Sequence, residues 1–282
     1  MRSLIRRHWI VCCGMITVLA FFLGMPVLGA LEKASKRTFS VMTYNIWELN
    51  EKRPAVKDVV EVVRSEGIPD ILLLQEVRGE DMSLLLSSAL GLPHHLYRQA
   101  DGQKYGLAVL SRYPLTDNMF FYFKSSKMGR GALKATATVN DRKVRVCSVH
   151  LDRIDSVKVN KHGIDLTWGD SLYLLAHETT DETVRSRSVE ELLDWVGSES
   201  VIIGGDFNTV FCSKAIRKMG AVFEDALSHS PDYFTGSYLK SGLPVDPRLD
   251  FLFHSHDLEC LGACVIRRTA GDHYPVRGRF SW

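Results

Sequence analysis

The sequence predicts an α/β fold, two β-sheets packed as a sandwich with helices outside, and three observations predict it. Apolar and alternating runs of strand length recur along the whole chain and dominate its last third. A few amphipathic helical patterns are interspersed among them. The composition is ordinary for a globular chain: 282 residues, 45% hydrophobic, 24% charged and 10% aromatic. That excludes disordered, collagen-like and disulfide-knot classes and leaves ample chain to bury a core.

The elements follow in order. Arg2, Arg6 and Arg7 precede a stretch from Trp9 to Leu31 without a charged side chain, closed by Glu32. A basic start before an apolar run reads as a signal peptide or an N-terminal membrane anchor over residues 1–31. Gly14, Gly24 and Pro26 interrupt the run, and Val27-Leu28-Gly29 offers small residues for cleavage. The chain is therefore expected to be exported across, or tethered to, the cell membrane, on the periplasmic or extracellular side, with residues 9–31 available for membrane association. A folded domain is expected over 38–282. The 35 Lys and Arg less the three arginines of residues 1–30 leave 32 against 33 acids, a formal −1. A strongly basic domain that grips nucleic acid by charge alone is excluded.

Phe39–Asn45 reads as a buried strand and Arg53–Glu66 as a helix with Val56, Val59, Val60 and Val63 on one face, closed by Gly67 and Pro69. Ile71–Leu74 is a central strand covered on both faces. Met82–Leu90 is helical up to Gly91 and Pro93, and Leu107–Leu110 is another short strand. Leu133, Ala135, Ala137 and Val139 alternate with Lys134, Thr136 and Thr138, a half-exposed strand. It turns at Asn140-Asp141 into Val144–Leu151. Glu182–Trp195 is amphipathic, and Val201–Gly204, Leu249–Phe253, Gly262–Ile266 and Tyr274–Phe280 complete the strands. Residues 152–181 show no clean period and read as a long loop, a candidate lid or a surface insertion. Outside the apolar segment, Cys147, Cys212, Cys260 and Cys264 allow three disulfide connectivities and lack zinc-type spacing.

Polar groups recur at strand ends. Asn45 follows Val41–Tyr44, and Gln75 and Glu76 follow Ile71–Leu74. His150 ends Val144–Val149, and Asp206 and Asn208 follow Val201–Gly205. Asp250 lies inside Leu249–Phe253, and Asp272 and His273 precede the last strand. One such residue is an ordinary turn; six sites of oxygen donors and imidazoles are not explained as caps. Ionised carboxylates at such places need a compensating cation. The donors are hard, which suits Mg²⁺ better than Zn²⁺.

These residues carry a resemblance. Thr43-Tyr44-Asn45-Ile46-Trp47, Leu74-Gln75-Glu76-Val77, Ser148-Val149-His150-Leu151-Asp152, Gly205-Asp206-Phe207-Asn208, Arg248-Leu249-Asp250-Phe251 and Gly271-Asp272-His273-Tyr274-Pro275-Val276, in that order, resemble the endonuclease/exonuclease/phosphatase superfamily over residues 38–282. The resemblance implies a four-layered α/β sandwich of two mainly antiparallel sheets flanked by helices, with the site at one edge. It implies that Glu76 is the principal metal ligand, supported by Asn45, with Asp272 facing the metal or its waters. Asp206 would orient or deprotonate the attacking water, and Asn208 would donate to the phosphate. His273 would meet a non-bridging phosphate oxygen, with Asp250 fixing its tautomer. His150 would be a second imidazole that stabilises the phosphate or protonates the leaving group. Asp250 and His273 should then lie roughly 2.6–3.2 Å apart, in one cleft with Asn45, Glu76, His150, Asp206 and Asn208.

One departure stands out. Nuclease members often carry a carboxylate near the strand equivalent to Tyr105–Val109, where this chain is apolar. Either another acid such as Asp152 assists His150, or His150 has a lesser role; Tyr105 reaches the phosphate or packs at the strand end. The implied activity is phosphodiester hydrolysis by in-line water attack with Mg²⁺, Mn²⁺ or Ca²⁺ as substitutes, on nucleic acid or a phospholipid or sphingolipid headgroup, by a monomer. A phosphomonoesterase on a soluble phosphate ester and a non-catalytic binding module are the alternatives. Lys124, Lys127, Arg130, Lys134, Arg142, Lys143 and Arg145, after the aromatic run Phe120–Phe123, read as a phosphate-tracking face, a lipid-headgroup face or a solvated one.

Overall fold

Two six-stranded sheets form the body of the molecule. The computed structural model describes residues 38–47, 55–154, 172–239 and 246–282 in full, and 159–160, 163–164 and 168–171 by backbone alone. The predicted leader or anchor over 1–31, and the start of the predicted first helix at Arg53, lie outside these residues. No helix among the described residues is long and apolar enough to cross a membrane. Thr38–Ser281 makes one compact unit.

The first sheet contains β1 (Thr38–Asn45), β2 (Ile71–Val77), β3 (His94–Arg98), β4 (Gly106–Ser111), β13 (Glu259–Val265) and β14 (Val276–Ser281), in the order β13-β14-β1-β2-β4-β3. The second contains β5 (Leu115–Tyr122), β6 (Gly131–Val139), β7 (Arg142–His150), β10 (Val201–Asp206), β11 (Glu224–Asp225) and β12 (Asp250–His254), in the order β11-β12-β10-β7-β6-β5. Between them in sequence, β8 (Val159–Asn160) and β9 (Gly163–Ile164) form a small antiparallel pair. Each large sheet has one parallel pair at its centre, β1 with β2 and β7 with β10; the other pairs are antiparallel. Parallel neighbours end on the same side, so Asn45 pairs with Gln75 and Asp206 with His150 at the carboxyl ends of the central strands. Open α/β sheets place their ligand sites at such ends.

The helices cover the outer faces. On the first sheet, α1 (Val56–Ser65) and α2 (Glu80–Leu90) bury Val59, Val63, Leu86 and Leu90 against Met42, Tyr44, Leu72 and Leu74. Gly91, in the left-handed region at φ 67°, ends α2. On the second sheet, α4 (Val184–Val196) and α5 (Lys214–Gly220) bury Val189, Leu192 and Met219 against Phe207, Phe251 and Phe253. Thr183 caps α4 through the Ser186 N–H at 3.3 Å, and Ser213 caps α5 through the Ile216 N–H at 3.2 Å. The result is the expected sandwich of two mixed, mainly antiparallel sheets with helices outside.

Three local expectations are corrected. The alternating strand at 133–139 is not half-exposed: Thr136 is buried, and Lys134 lies 4.0 Å over the Trp195 ring at the end of α4. The helix covers that part of the outer face. The basic residues form no single face either, since Lys134 and Arg145 donate to the carbonyls of Trp195 and Val196 and Arg130 turns inward. Finally, residues 152–181 are not a plain loop. They hold the β8–β9 pair and α3 (Trp168–Thr180), whose buried Glu178 is ion-paired with Arg185 and accepts from Thr209.

Where the sheets face one another, Gly204 on β10 lies so close to the first sheet that a Cβ there would come within 2.9 Å of Thr43 Cβ and 3.0 Å of Leu73 Cδ1. Overpacking a filled core usually costs about 1–3 kcal/mol. Gly204→Val is therefore expected to lower unfolding stability by about that amount in urea titration; unchanged stability would show that the sheets do not meet at this residue.

Candidate active site

The site is assembled where the central strands of both sheets run out. Behind it a buried polar bridge ties the sheets together: Gln75 Nε2 donates to Ser148 Oγ at 3.0 Å, and that hydroxyl donates to the Leu74 carbonyl at 3.0 Å. Gln75 is fully buried and serves this bridge. Immediately after it the pairing of β2 with β4 shifts between Leu74 and Val77, and Glu76 adopts φ 57°. A bulge of this kind re-aims a side chain, and left-handed backbone at a glutamate is a strain kept at functional sites. Glu76 Oε1 thereby lies 3.9 Å from His150 Nε2.

Asp206, only 2% exposed, is the meeting point. Its Oδ2 accepts from Asn45 Nδ2 at 3.0 Å and from Asn208 Nδ2 at 3.2 Å, and its Oδ1 accepts from the Asn208 N–H at 2.9 Å. His150 Nε2 and His273 Nε2 stand 3.5 and 3.8 Å from the same Oδ2. Asp250 is paired in register with Asp206 across β10 and β12, and its Oδ2 accepts from His273 Nδ1 at 2.7 Å. Seven of the eight residues singled out in the sequence are thus joined by direct contacts. The eighth, Asp272, is buried beside His273, and its charge bears on His273, Tyr44 and Tyr238.

Loops complete the site with residues that the strand pattern did not mark. Ser237 Oγ donates to Asp250 Oδ2 at 2.7 Å while accepting from the Leu249 and Asp250 N–H groups. Tyr238 bridges to His273 through the backbone, and its ring stands 4.9 Å from the imidazole. Arg130 Nη1 lies 3.2 Å from His150 Nδ1. Asp152 does not assist His150: its carboxylate accepts from the Ser126 hydroxyl and the Lys127 and Met128 N–H groups. Tyr44 accepts from the Ala270 N–H at 2.9 Å and holds the loop that leads to Asp272 and His273.

The electrostatics separate the two imidazoles. Burial, the neighbouring Arg130 and the charge on His273 push His150 well below the ordinary histidine range, so it is neutral. Burial acts on His273 in the same direction. There, however, Asp250, Asp206 and Asp272 outweigh it and raise the group to about 10. Burial lifts Asp206 to about 7 against the pull of His273, and the charges on Asp250 and Glu76 add to the rise. The shift is mainly the cost of holding a charged carboxylate away from water. Asp206, Asp250 and His273 offer ligand atoms within 4.8 Å of one another, a group able to hold a metal ion. His273 Nδ1 and Asp250 Oδ2 already satisfy each other, however. The half-buried Glu76 and the buried Asp272 add two further carboxylates whose charges bear on this group.

Comparison with known proteins gives the same frame. Nineteen per cent sequence identity relates the chain to an endonuclease/exonuclease/phosphatase from Beutenbergia cavernae DSM 12333, with 87% of this chain and 72% of that one covered at a TM-score of 0.66. Truncated Caenorhabditis elegans TDP2 is 19% identical, with 87% and 98% covered and a TM-score of 0.62. TDP2 of D. rerio complexed with single strand DNA product is 16% identical, with 87% and 99% covered and a TM-score of 0.61. These likenesses establish the fold. No curated protein matches the chain. The model of the Endonuclease/Exonuclease/phosphatase family matches residues 42–273, from the strand that carries Asn45 to His273 itself. With that span matched, the chain belongs to the endonuclease/exonuclease/phosphatase family.

Proposed function

We propose that the chain is a divalent-metal-dependent phosphodiesterase that attacks its substrate in line with water, is exported or tethered through residues 1–31, and works as a monomer. The observation that carries this reading is Asp206, a buried carboxylate ringed by two amides and two imidazoles of opposite charge state. Membership of a family of hydrolytic phosphoesterases supports the reaction class. Fold likeness to a TDP2 bound to single strand DNA product supports a nucleic-acid strand as substrate. The uncharged stretch Trp9–Leu31 supports the alternative of a phospholipid or sphingolipid headgroup.

Asp206 Oδ2 accepts the proton of the attacking water; a base near 7 is matched to neutral pH. As the new P–O bond forms, the bond to the leaving alkoxide breaks on the opposite side. The His273 imidazolium donates to a non-bridging oxygen, where charge accumulates, while the Asn208 amide, which donates to Asp206 Oδ2 and to the Leu151 carbonyl, holds the base in place. Asp250 fixes the ring by holding Nδ1–H, as buried carboxylate partners of histidine do. Glu76, Asn45 and Asp272 would hold the ion, Mg²⁺ or in its place Mn²⁺ or Ca²⁺, which when bound polarises a phosphate oxygen and steadies the departing alkoxide.

The reading is tested with a bis-aryl phosphate with and without chelator, run beside plasmid DNA and sphingomyelin. Chelator-sensitive hydrolysis of the generic ester is expected, and the natural substrate identifies the class. Absence of hydrolysis in all three arms removes the phosphodiesterase. Glu76→Gln is expected to abolish metal-dependent turnover while circular dichroism stays native; a wild-type rate at saturating Mg²⁺ rules out Glu76 as ligand. For Asp206→Asn, kcat should fall at least ~10²-fold, within the usual range for a general base. A raised KM with unchanged kcat would make it a binding residue instead.

The pH profile follows from the two shifted groups. A base works ionised and an imidazolium works protonated, so kcat/KM should rise with pH as Asp206 ionises and fall as His273 loses its proton; in the metal-free site these groups lie at about 7 and about 10. A bound cation moves both limbs to lower pH. Asp250→Asn removes a charge that raises His273 and is expected to shift the alkaline limb downward; a limb that stays in place takes His273 out of the reaction.

A further inference from the structure

We propose that Arg130 is a positioning residue that fixes His150 as the Nε2–H tautomer, so that the second imidazole offers the cleft a hydrogen-bond donor. What the donor serves rests on the phosphodiesterase reading; the tautomer itself does not. A guanidinium carries donors only and keeps its charge, so Arg130 Nη1, 3.2 Å from His150 Nδ1, obliges that nitrogen to accept. A neutral imidazole has one N–H, which then sits on Nε2. The opposite side of the ring agrees, because Nε2 faces two carboxylate oxygens, Asp206 Oδ2 at 3.5 Å and Glu76 Oε1 at 3.9 Å.

The turn before β6 is built to deliver this arginine. Buried Asp152 accepts from the Lys127 and Met128 N–H groups at 2.7 and 3.2 Å, and Ser126 Oγ accepts from the Arg130 N–H at 2.8 Å. Gly129 takes the left-handed backbone at φ 65° that the turn requires. Gly131 then pairs in register with His150, and a Cβ on it would meet the Phe121 carbonyl at 2.3 Å. Arg130 Nε is buried without a hydrogen-bond partner, and the guanidinium lies 5.7 Å over the Tyr105 ring. A buried donor left unsatisfied is destabilising. The side chain is thus held beside His150 by the turn and the ring, against its own best hydrogen bonding. The two imidazoles receive opposite partners on Nδ1: Asp250 makes that nitrogen of His273 a donor, and Arg130 makes that of His150 an acceptor.

The experiment is long-range ¹H–¹⁵N NMR of the histidine rings in the metal-free full chain at pH 7, with the His150 signals assigned by their loss in His150→Gln. The expected wild-type pattern is an unprotonated Nδ1 and a protonated Nε2. Arg130→Lys, which restores a donor, should keep that pattern, and Arg130→Met should give a mixture of tautomers. Protonated Nδ1 in the wild type overturns the proposal without reference to any variant, as does a pure Nε2–H tautomer in Arg130→Met. In the bis-aryl phosphate assay, Arg130→Met should lose at least ~10-fold in kcat, since precise placement of a donor is worth that much or more, and Arg130→Lys should recover most of it. If wild type fails to cleave the ester, the phosphodiesterase reading falls while the ring signals still decide the tautomer.

Discussion

Burial of the Asp206 carboxylate at the seam of the two sheets is the constraint on which the rest of the site depends. A carboxylate that is 2% exposed must be supplied with donors, because an unpaired charge in that position is strongly penalised. Its partners come from both sheets: Asn45 from the end of β1 and Asn208 from the loop after β10 donate to it, and His150 of β7 and His273 from the approach to β14 stand 3.5 and 3.8 Å away. Satisfying one side chain therefore brings together strand ends far apart in sequence. The Gln75–Ser148 bridge, one residue behind Glu76 and two before His150, holds the sheets at the spacing this requires.

Charge then divides the labour. The cleft gathers Glu76, Asp206, Asp250 and Asp272 around one histidine that they keep cationic and another that stays neutral. Acid and base roles are usually assigned by environments that push like groups apart. Here the partners on Nδ1 do so for two imidazoles within reach of one carboxylate oxygen. The His273 imidazolium offsets part of the charge of the carboxylates that converge on it in this largely dry site.

Much of this was legible in the chain. Polar residues directly after short apolar runs marked Asn45, Glu76, His150 and Asp206, because a strand's exit from a buried sheet is a place where sequence and position are locked together, and Asp250 stood out as a lone carboxylate inside an apolar run. Ser237, Tyr238 and Arg130 were not legible as site residues, since loops deliver them and no period announces where a loop folds back. Helix α3 escaped for a different reason. Its Leu172, Tyr173 and Leu175 are exposed, and the packed face carries Leu174 beside Glu178, which is buried by Arg185 and Thr209, so most of its apolar residues lie off the face that packs. Strand β5 escaped likewise, because as an edge strand with little burial it lacks the alternation of a half-covered one.

The backbone records where local preference yields to the site. Of the described non-glycine residues with positive φ, Asp117, Asn140, Asp141 and Ser200 lie at turns or irregular pairings away from the cleft, two of them in the tight turn between β6 and β7. Trp47, Glu76 and Asn208 are the others, and all three stand beside the strand ends that meet at Asp206. Asparagine tolerates that conformation; glutamate and tryptophan do not favour it. Trp47 is held there by its N–H donating to Asn45 Oδ1 at 3.1 Å, and its Cβ packs where Gly271 leaves no side chain, next to Asp272. Thus the bond that orients Asn45 also sets the wall of the loop carrying Asp272 and His273. Strain at Trp47 and Glu76 is retained because relaxing either would move a group that faces Asp206, and the surrounding core, rigid and closely packed, outweighs it.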